Sequence, residues 1–321
     1  MTLSPVRTPR IRRLLAGAAA AAGLAIALTA CSSGAVPGDT SSSAAAEVDA
    51  YDAVISAGPV ADDSVVADND WATKIKESGV LRRGGTDTGA LFSIQDPATG
   101  KITGFDAGIG DLLARYILGD DAKVDLTQTT VDTRETLLQN DSVDVVIATY
   151  SITEPRAEKI AFAGPYYSSG ASVMVKKDND TITSVKDLTS GTKVTTESNS
   201  TAVTALDEFA PDAEQVLFTE NADCVAAVQQ GRADAYVIDE SILLSNAVQN
   251  PDLKVVGEPF TSDPYGVGVT KDDPAAKEFV NSFLEEIEKD GSWAKLWKAT
   301  VGTVVEGDAP DFPEIGSVPG S

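Results

Sequence analysis

From position 80 onward the chain alternates short apolar runs with amphipathic stretches. Residues 80–83 start a strand, followed by the polar GGTDTG. ITGFDAGIGDLLARYILGD predicts a turn and a helix, with Leu112, Leu113, Tyr116 and Ile117 as its apolar stripe and Gly119 as its stop. Residues 123–127 alternate as a strand, Asp132 caps a short helix through Leu138, and 143–148 is the continuous apolar run of a buried strand. The alternation then resumes. Strands are predicted at 172–176, from 193, at 215–218, 233–239 and 253–256, with helices at about 200–209, 222–230 and 240–249. PYGVGVT returns as a strand, Pro274 opens an amphipathic helix to Lys289, and Gly291 separates it from SWAKLWKATV. Strands alternating with helices predict an α/β fold with largely parallel sheets. Two βα blocks of similar size flank two short connections, near 170–176 and 260–268. Two lobes so joined, 71–172 plus 266–302 and 173–265, enclose a cleft, and hinge closure on a ligand is the usual motion there.

The ends have a different composition. Arg7, Arg10, Arg12 and Arg13 form a basic segment without acids, and 14–30 is a short run of Leu, Ala, Gly and Ile. This is a signal-peptide pattern, expected over 1–30. It closes on LTAC followed by SSG, which resembles the bacterial lipobox, so Cys31 is the expected lipid-carrying first residue of the mature chain. Acyl chains gain about 0.8 kcal/mol per buried CH₂ and would hold a domain at a membrane surface. Residues 31–70 are rich in Ser, Ala, Gly and Asp and predict a flexible tether; 303–321, with EGDAPDFPEIGSVPGS, predicts a loosely held tail.

The formal charge of −24 becomes more negative still without the four leader arginines. Nucleic-acid binding relies on Lys and Arg neutralising phosphates, so that class is excluded. The chain has no His, which removes His-based triads, HExxH zinc sites and His general bases. No cofactor is implied. With Cys31 acylated, Cys224 is the remaining thiol, expected as a small buried residue.

One stretch carries more chemistry than its surroundings. ATYSITEPR, 148–156, follows the predicted strand at 143–148 with a cluster of hydroxyls and then Arg156. Locally this reads as a surface loop with a solvated arginine. Its place beyond a strand's carboxyl end, where open α/β sheets bind ligands, favours an arginine held for an anion.

In order and spacing, ITGFDAGIGDLLA, LLQNDSVDVVIATYSITEPRAEKIAFAGPYYSSG, CVAAVQQGRADAYVIDESILL, DPYGVGVTKDD and DGSWAKLWK resemble the family 3 solute-binding proteins of polar amino-acid ABC importers, and most nearly the glutamate-binding lipoproteins of actinobacteria. The resemblance covers about 80–301. It implies a two-lobed periplasmic-binding-protein-like fold of type II, a monomer, a free amino acid as ligand, an ABC permease and ATPase as partners, and no enzymatic activity. It places Arg156 on the ligand α-carboxylate, a fit of planar donors to a planar anion. Thr149 and Ser151 match positions that contact the α-groups, and Asp239 matches the second-lobe acid for the α-ammonium, although a helix N-cap reads equally well from the local sequence. Ser200 and Thr201 open a helix whose N–H groups favour the α-carboxylate. Arg134 matches an arginine that reaches acidic side chains, against the alternative of a solvated residue paired with Glu135 or Glu154. Asp87 and Phe92 fall in a ligand-contacting loop; Phe92 reads equally as core.

Several positions depart from the family pattern. Glu197 sits where side chains are read, and there it would repel a carboxylate and favour an amide or a cation. Asn199 stands where Gly is common, and Arg83 where an apolar residue is usual. Thr195 stands where branch members often carry a Cys paired with one matching Cys224, so Cys224 is expected to be a free thiol. Arg134 ranks glutamate first, with glutamine, asparagine and aspartate next. A dehydratase-type enzyme on the same fold and a sensor lipoprotein signalling to a membrane kinase are the alternatives.

Overall fold

The computed structural model describes residues 40–321. The leader and Cys31 lie outside the described residues. Helices α1 (Thr40–Ala57), α2 (Asp63–Ala67) and α3 (Asp70–Ser78) precede β1 (Leu81–Gly85). A small antiparallel sheet of β2 (Thr88–Gly89), β3 (Ser93–Gln95) and β4 (Ile102–Thr103) leads into α4 (Phe105–Leu118). Then come β5 (Val124–Gln128), α5 (Arg134–Gln139), β6 (Val145–Val146), α6 (Glu154–Ala157), β7 (Ala161–Ser169) and β8 (Ala171–Lys176). The chain continues through β9 (Lys193–Glu197), α7 (Thr201–Phe209), β10 (Glu214–Phe218), α8 (Asn221–Gln229), β11 (Ala235–Asp239), α9 (Glu240–Gln249) and β12 (Leu253–Val256). It ends with β13 (Asp263–Val269), α10 (Pro274–Lys289) and α11 (Ser292–Ala299).

Two five-stranded sheets define two lobes, ordered β5-β1-β6-β13-β7 and β10-β9-β11-β8-β12. Within each, three strands run parallel, and the strands leading to or from the crossing, β13 and β7 or β8 and β12, pair antiparallel. The sheets are therefore mixed rather than largely parallel, because each lobe completes its sheet with strands that enter and leave through the hinge. At the hinge the two crossing segments touch. A Cβ at Gly170 would lie 2.1 Å from the Thr261 carbonyl oxygen, so only Gly fits there. Phe260 N–H donates to Ala171 O at 2.9 Å, and Ala171 N–H to Thr261 Oγ1 at 2.6 Å.

Local sequence explains most elements. Asn69 caps α3 by accepting from Ala72 N–H at 3.0 Å, and Gly79 ends it in the left-handed region. Asp273 caps α10, with Pro274 in its first turn. The apolar stripe of α10, including Phe279, Val280, Phe283, Leu284 and Ile287, is buried. Each such side chain stabilises the fold by about 1.5–3 kcal/mol relative to exposure.

Three expectations are corrected. The tether is helical over Thr40–Ala57, and Tyr51 is buried with its hydroxyl donating to Asp111 at 2.6 Å. Lys101 pairs with Asp52, and Arg115 donates to Gly58 O at 2.9 Å. Tyr51, with Val54 and Ile55 packed beside it on the core, anchors a run that is otherwise rich in Ser and Ala. The tail is likewise docked: Phe312 meets Trp293 edge to face at 5.2 Å, and Gly316 N–H donates to Gly164 O at 2.9 Å. Its few apolar residues find the core despite the proline-rich composition. Asp132 does not cap α5, since Thr133 holds that position.

Candidate ligand-binding cleft

The cleft between the lobes has a volume of about 670 Å³ and is lined from both sides. That lies within the span of small-molecule sites, roughly 300–1,000 Å³. The structure brings all ten residues singled out above to this one cavity: Asp87, Phe92, Arg134, Thr149, Ser151 and Arg156 from the first lobe, and Glu197, Ser200, Thr201 and Asp239 from the second.

The first lobe presents two buried guanidinium groups. Arg156 lies on α6, capped by the Thr153 hydroxyl. It donates from Nη1 to Ser151 O at 2.9 Å and from Nη2 across the cleft to Asn199 O at 3.1 Å. Arg134, the first residue of α5, donates to Ala148 O at 3.0 Å; its Nε has no partner. Its guanidinium lies 4.0 Å from the centre of the Tyr150 ring, and that of Arg156 5.3 Å from the same ring. Among the described residues neither arginine has a carboxylate within 4 Å. Arg134 is therefore not the solvated residue paired with Glu135 or Glu154: Glu135 pairs with Lys159 instead. Burial first, and Arg156 second, lower the pKa of Arg134 to about 10, which leaves it charged at neutral pH.

Between the arginines the backbone turns sharply. Thr149 adopts φ +45°, and its N–H donates to Asp106 Oδ2 at 2.7 Å. Asp106 also accepts from the Tyr166 hydroxyl at 2.6 Å. These bonds hold an uncommon conformation for a β-branched residue. Burial raises Asp106 to about 6.

The second lobe presents two acids. Asp239 ends β11, and one of its oxygens accepts from the Tyr265 hydroxyl at 2.7 Å. The other, Oδ1, is buried without a partner. Asp239 stands at the N-cap position of α9 yet makes no side-chain cap bond, so capping is not its role. Burial, then Asp263, raises its pKa to about 7. Glu197 ends β9 and is buried; burial raises it to about 7, with Asp239 and Glu220 adding to the rise and Arg134 opposing it. Asn199 takes φ +59°, which Asn tolerates better than most residues and which a Gly would supply freely. Ser200 accepts no cap bond; its hydroxyl donates to Glu197 O at 2.7 Å. Phe92 is both core and wall: it packs edge to face on Phe105, Tyr167 and Tyr265 while lining the cavity. Asp87 accepts from Gln128 Nε2.

Sequence reasoning missed the supporting pair Asp106 and Tyr166, and an amide network at the far end. There Asn246 and Asn221 exchange bonds at 2.8 and 2.9 Å, and the Tyr236 hydroxyl donates to Asn221 Oδ1 at 3.0 Å. The available signal was polar residues on apolar helix faces: Ser241, Ser245 and Asn246 are all buried in α9. Cys224 is free and buried, and burial pushes its thiol up to about 12.

Two mixed sheets joined by a double crossing, with a polar cleft between them, define the two-lobed type II architecture of periplasmic amino-acid-binding proteins. Residues 81–302 match the bacterial extracellular solute-binding proteins, family 3, and the chain belongs to that family. It is 36% identical over 213 residues to the ABC transporter glutamine-binding protein GlnH of Bacillus subtilis, covering 66% of this chain and 77% of that protein. It is 32% identical over 212 residues to the glutamate-binding protein GluB of Corynebacterium efficiens, 63% of this chain and 72% of that one. Among solved structures, an ancestral arginine-binding protein bound to glutamine superposes with a TM-score of 0.64 at 34% identity, covering 70% of this chain and 98% of that one.

Proposed function

We propose that the protein captures a polar amino acid outside the membrane and delivers it to an ABC permease and ATPase, anchored by lipid on Cys31 and acting as a monomer. The observation that carries the reading is the opposition of Arg156 and Asp239 across one cavity. Arg156 is buried without an acid, and Asp239 keeps one buried oxygen without a donor. Uncompensated buried charge costs several kcal/mol, and an α-carboxylate and an α-ammonium would satisfy both at once. Thr149, Ser151, Ser200 and Thr201 surround the α-groups. A ligand held by both lobes favours the closed arrangement through its contacts in that state. Family membership supports the transport role, and the leader pattern supports the anchor.

At the side-chain end, Arg134 alone favours glutamate. Glu197 lines the same cavity, however, and a carboxamide satisfies both: its oxygen accepts from a guanidinium and its NH₂ donates to a carboxylate. Glutamine is therefore the preferred ligand, with glutamate second; Asp87, Phe92 and the asparagine network form the walls. Binding of the twenty amino acids to the purified protein, measured by calorimetry, tests this. Glutamine should bind tightest. Absence of binding by every amino acid, or equal affinity for analogues lacking the α-ammonium, overturns the assignment.

A further inference from the structure

We infer that Arg134 and Glu197 form a proton-linked selector: the cleft takes glutamine with Glu197 ionised, and takes glutamate only when Glu197 carries a proton drawn from solvent. This rests on the proposed amino-acid site and goes beyond it, because it makes the second ligand conditional on pH.

Glu197 closes β9 of the second lobe and Arg134 opens α5 of the first, and both line the one cleft. Each is more than nine-tenths buried and each lines the cavity. Neither has an opposite charge within 4 Å among the described residues. Arg134 is held in place by the Ala148 and Thr149 carbonyls and by the Tyr150 ring, with Nε unpaired.

The surroundings of Glu197 are acidic. Asp239 faces it from β11 and Glu220 from the approach to α8; Arg134 is the cation that offsets them. Tyr236 on β11 and Cys224 on α8 also face it, and burial raises both so that each stays neutral near pH 7. Phe218 is its register partner on β10. Burial first, with Asp239 and Glu220 adding and Arg134 opposing, raises the acid to about 7.

The two ligands pull this equilibrium in opposite directions. A glutamine NH₂ donates to the ionised carboxylate and holds the proton off. A glutamate carboxylate repels the ionised form, and it accepts a hydrogen bond from the protonated one while it pairs with Arg134. By linkage, the affinity for glutamate relative to glutamine is highest below the pKa of Glu197 in the free protein and falls as pH rises through it, by up to about tenfold per pH unit, while the ionisation of Asp239 that the α-ammonium needs affects both ligands alike. Glutamine affinity holds or rises over the same interval.

Calorimetry of the protein with each ligand, at about pH 5.5 and about pH 8 and in buffers of different ionisation enthalpy, reads the effect directly. Near pH 8, glutamate binding should take up close to one proton, and because Asp239 titrates in the same range and acts on both ligands alike, the readout is the glutamate-to-glutamine affinity ratio, which should fall by roughly ten- to several-hundredfold relative to pH 5.5. Glutamine should take up none. Glu197→Gln should leave glutamate and glutamine with the same pH profile, the one set by Asp239, and weaken glutamine several-fold. A glutamate-to-glutamine affinity ratio that stays constant across this range, with no difference in proton uptake between the two ligands, overturns the selector, as does Glu197→Gln with an unaltered ratio profile. If no amino acid binds, the proposed function itself fails, and the two failures are distinct.

Discussion

The two ends of the cleft hold the same kinds of charge to different purpose. At one end Arg156 and Asp239 are held by neutral partners, the Ser151 and Asn199 carbonyls and the Tyr265 hydroxyl, and Asp239 keeps one buried oxygen without a donor. At the other, Arg134 is held by the Ala148 carbonyl, and burial, with Asp239 and Glu220 adding to it, favours the neutral form of Glu197. The first arrangement suits the zwitterion that all amino acids share. The second suits a side chain that differs among them. A ligand's common part calls for a fixed counter-charge, whereas its variable part is chosen by what each candidate would leave unpaired.

The comparison breaks most sharply at Arg156. Arg156→Ala should cost about 2–5 kcal/mol, a loss of roughly 30-fold to several-thousand-fold in affinity for every amino acid that binds, because it strands the carboxylate in a buried site. Titration calorimetry with glutamine checks it. Retention of affinity within about threefold would move the carboxylate elsewhere in the cleft.

A smaller and more selective effect belongs to Arg134. Arg134→Gln should weaken glutamate at low pH about tenfold more than it weakens glutamine, since charge-assisted bonds are roughly twice as strong as neutral ones. Equal losses for both ligands would remove Arg134 from the side-chain end and leave it as a brace for the carbonyls of Ala148 and Thr149. Fluorescence or calorimetric titration of both ligands on the same variant decides it.

How much of this was legible depends on the range of the contacts. Helices α9 and α10 and strand β12 lie where the periodicity puts them, because caps, prolines and apolar stripes are local. Arg156 was legible because a polar run after a buried strand carries its own positional meaning. Glu197 was legible as a departure, but not its shifted acidity, which depends first on burial by the folded lobes and then on Asp239 and Glu220 arriving from other elements. Tyr51 and Phe312 were not legible as anchors: each lies in a segment whose few apolar residues show no regular period, and its partner, Asp111 or Trp293, belongs to another element. The short β2–β4 sheet was missed because two-residue strands carry no periodicity, and β7 because its ladder is defined by β13, about a hundred residues later.

Asp132 marks the boundary between the two ends and gives the smallest expected effect. It resembles a helix cap in sequence, yet its carboxylate accepts from Asn199 Nδ2 and, at 3.3 Å, from the Ser198 hydroxyl, both on the opposite lobe just ahead of α7. A carboxylate there also faces the positive end of that helix. The contact is exposed at the rim and touches neither end of the cavity. It acts on closure alone, and closure is common to all ligands. Asp132→Ala should therefore weaken glutamine and glutamate by the same factor, about two- to tenfold, the worth of one net hydrogen bond. Parallel titrations of the two ligands at one pH measure the ratio. A change in that ratio would show that the rim takes part in selection, and would join Asp132 to Arg134 and Glu197 as a third charged group that distinguishes the amide from the acid.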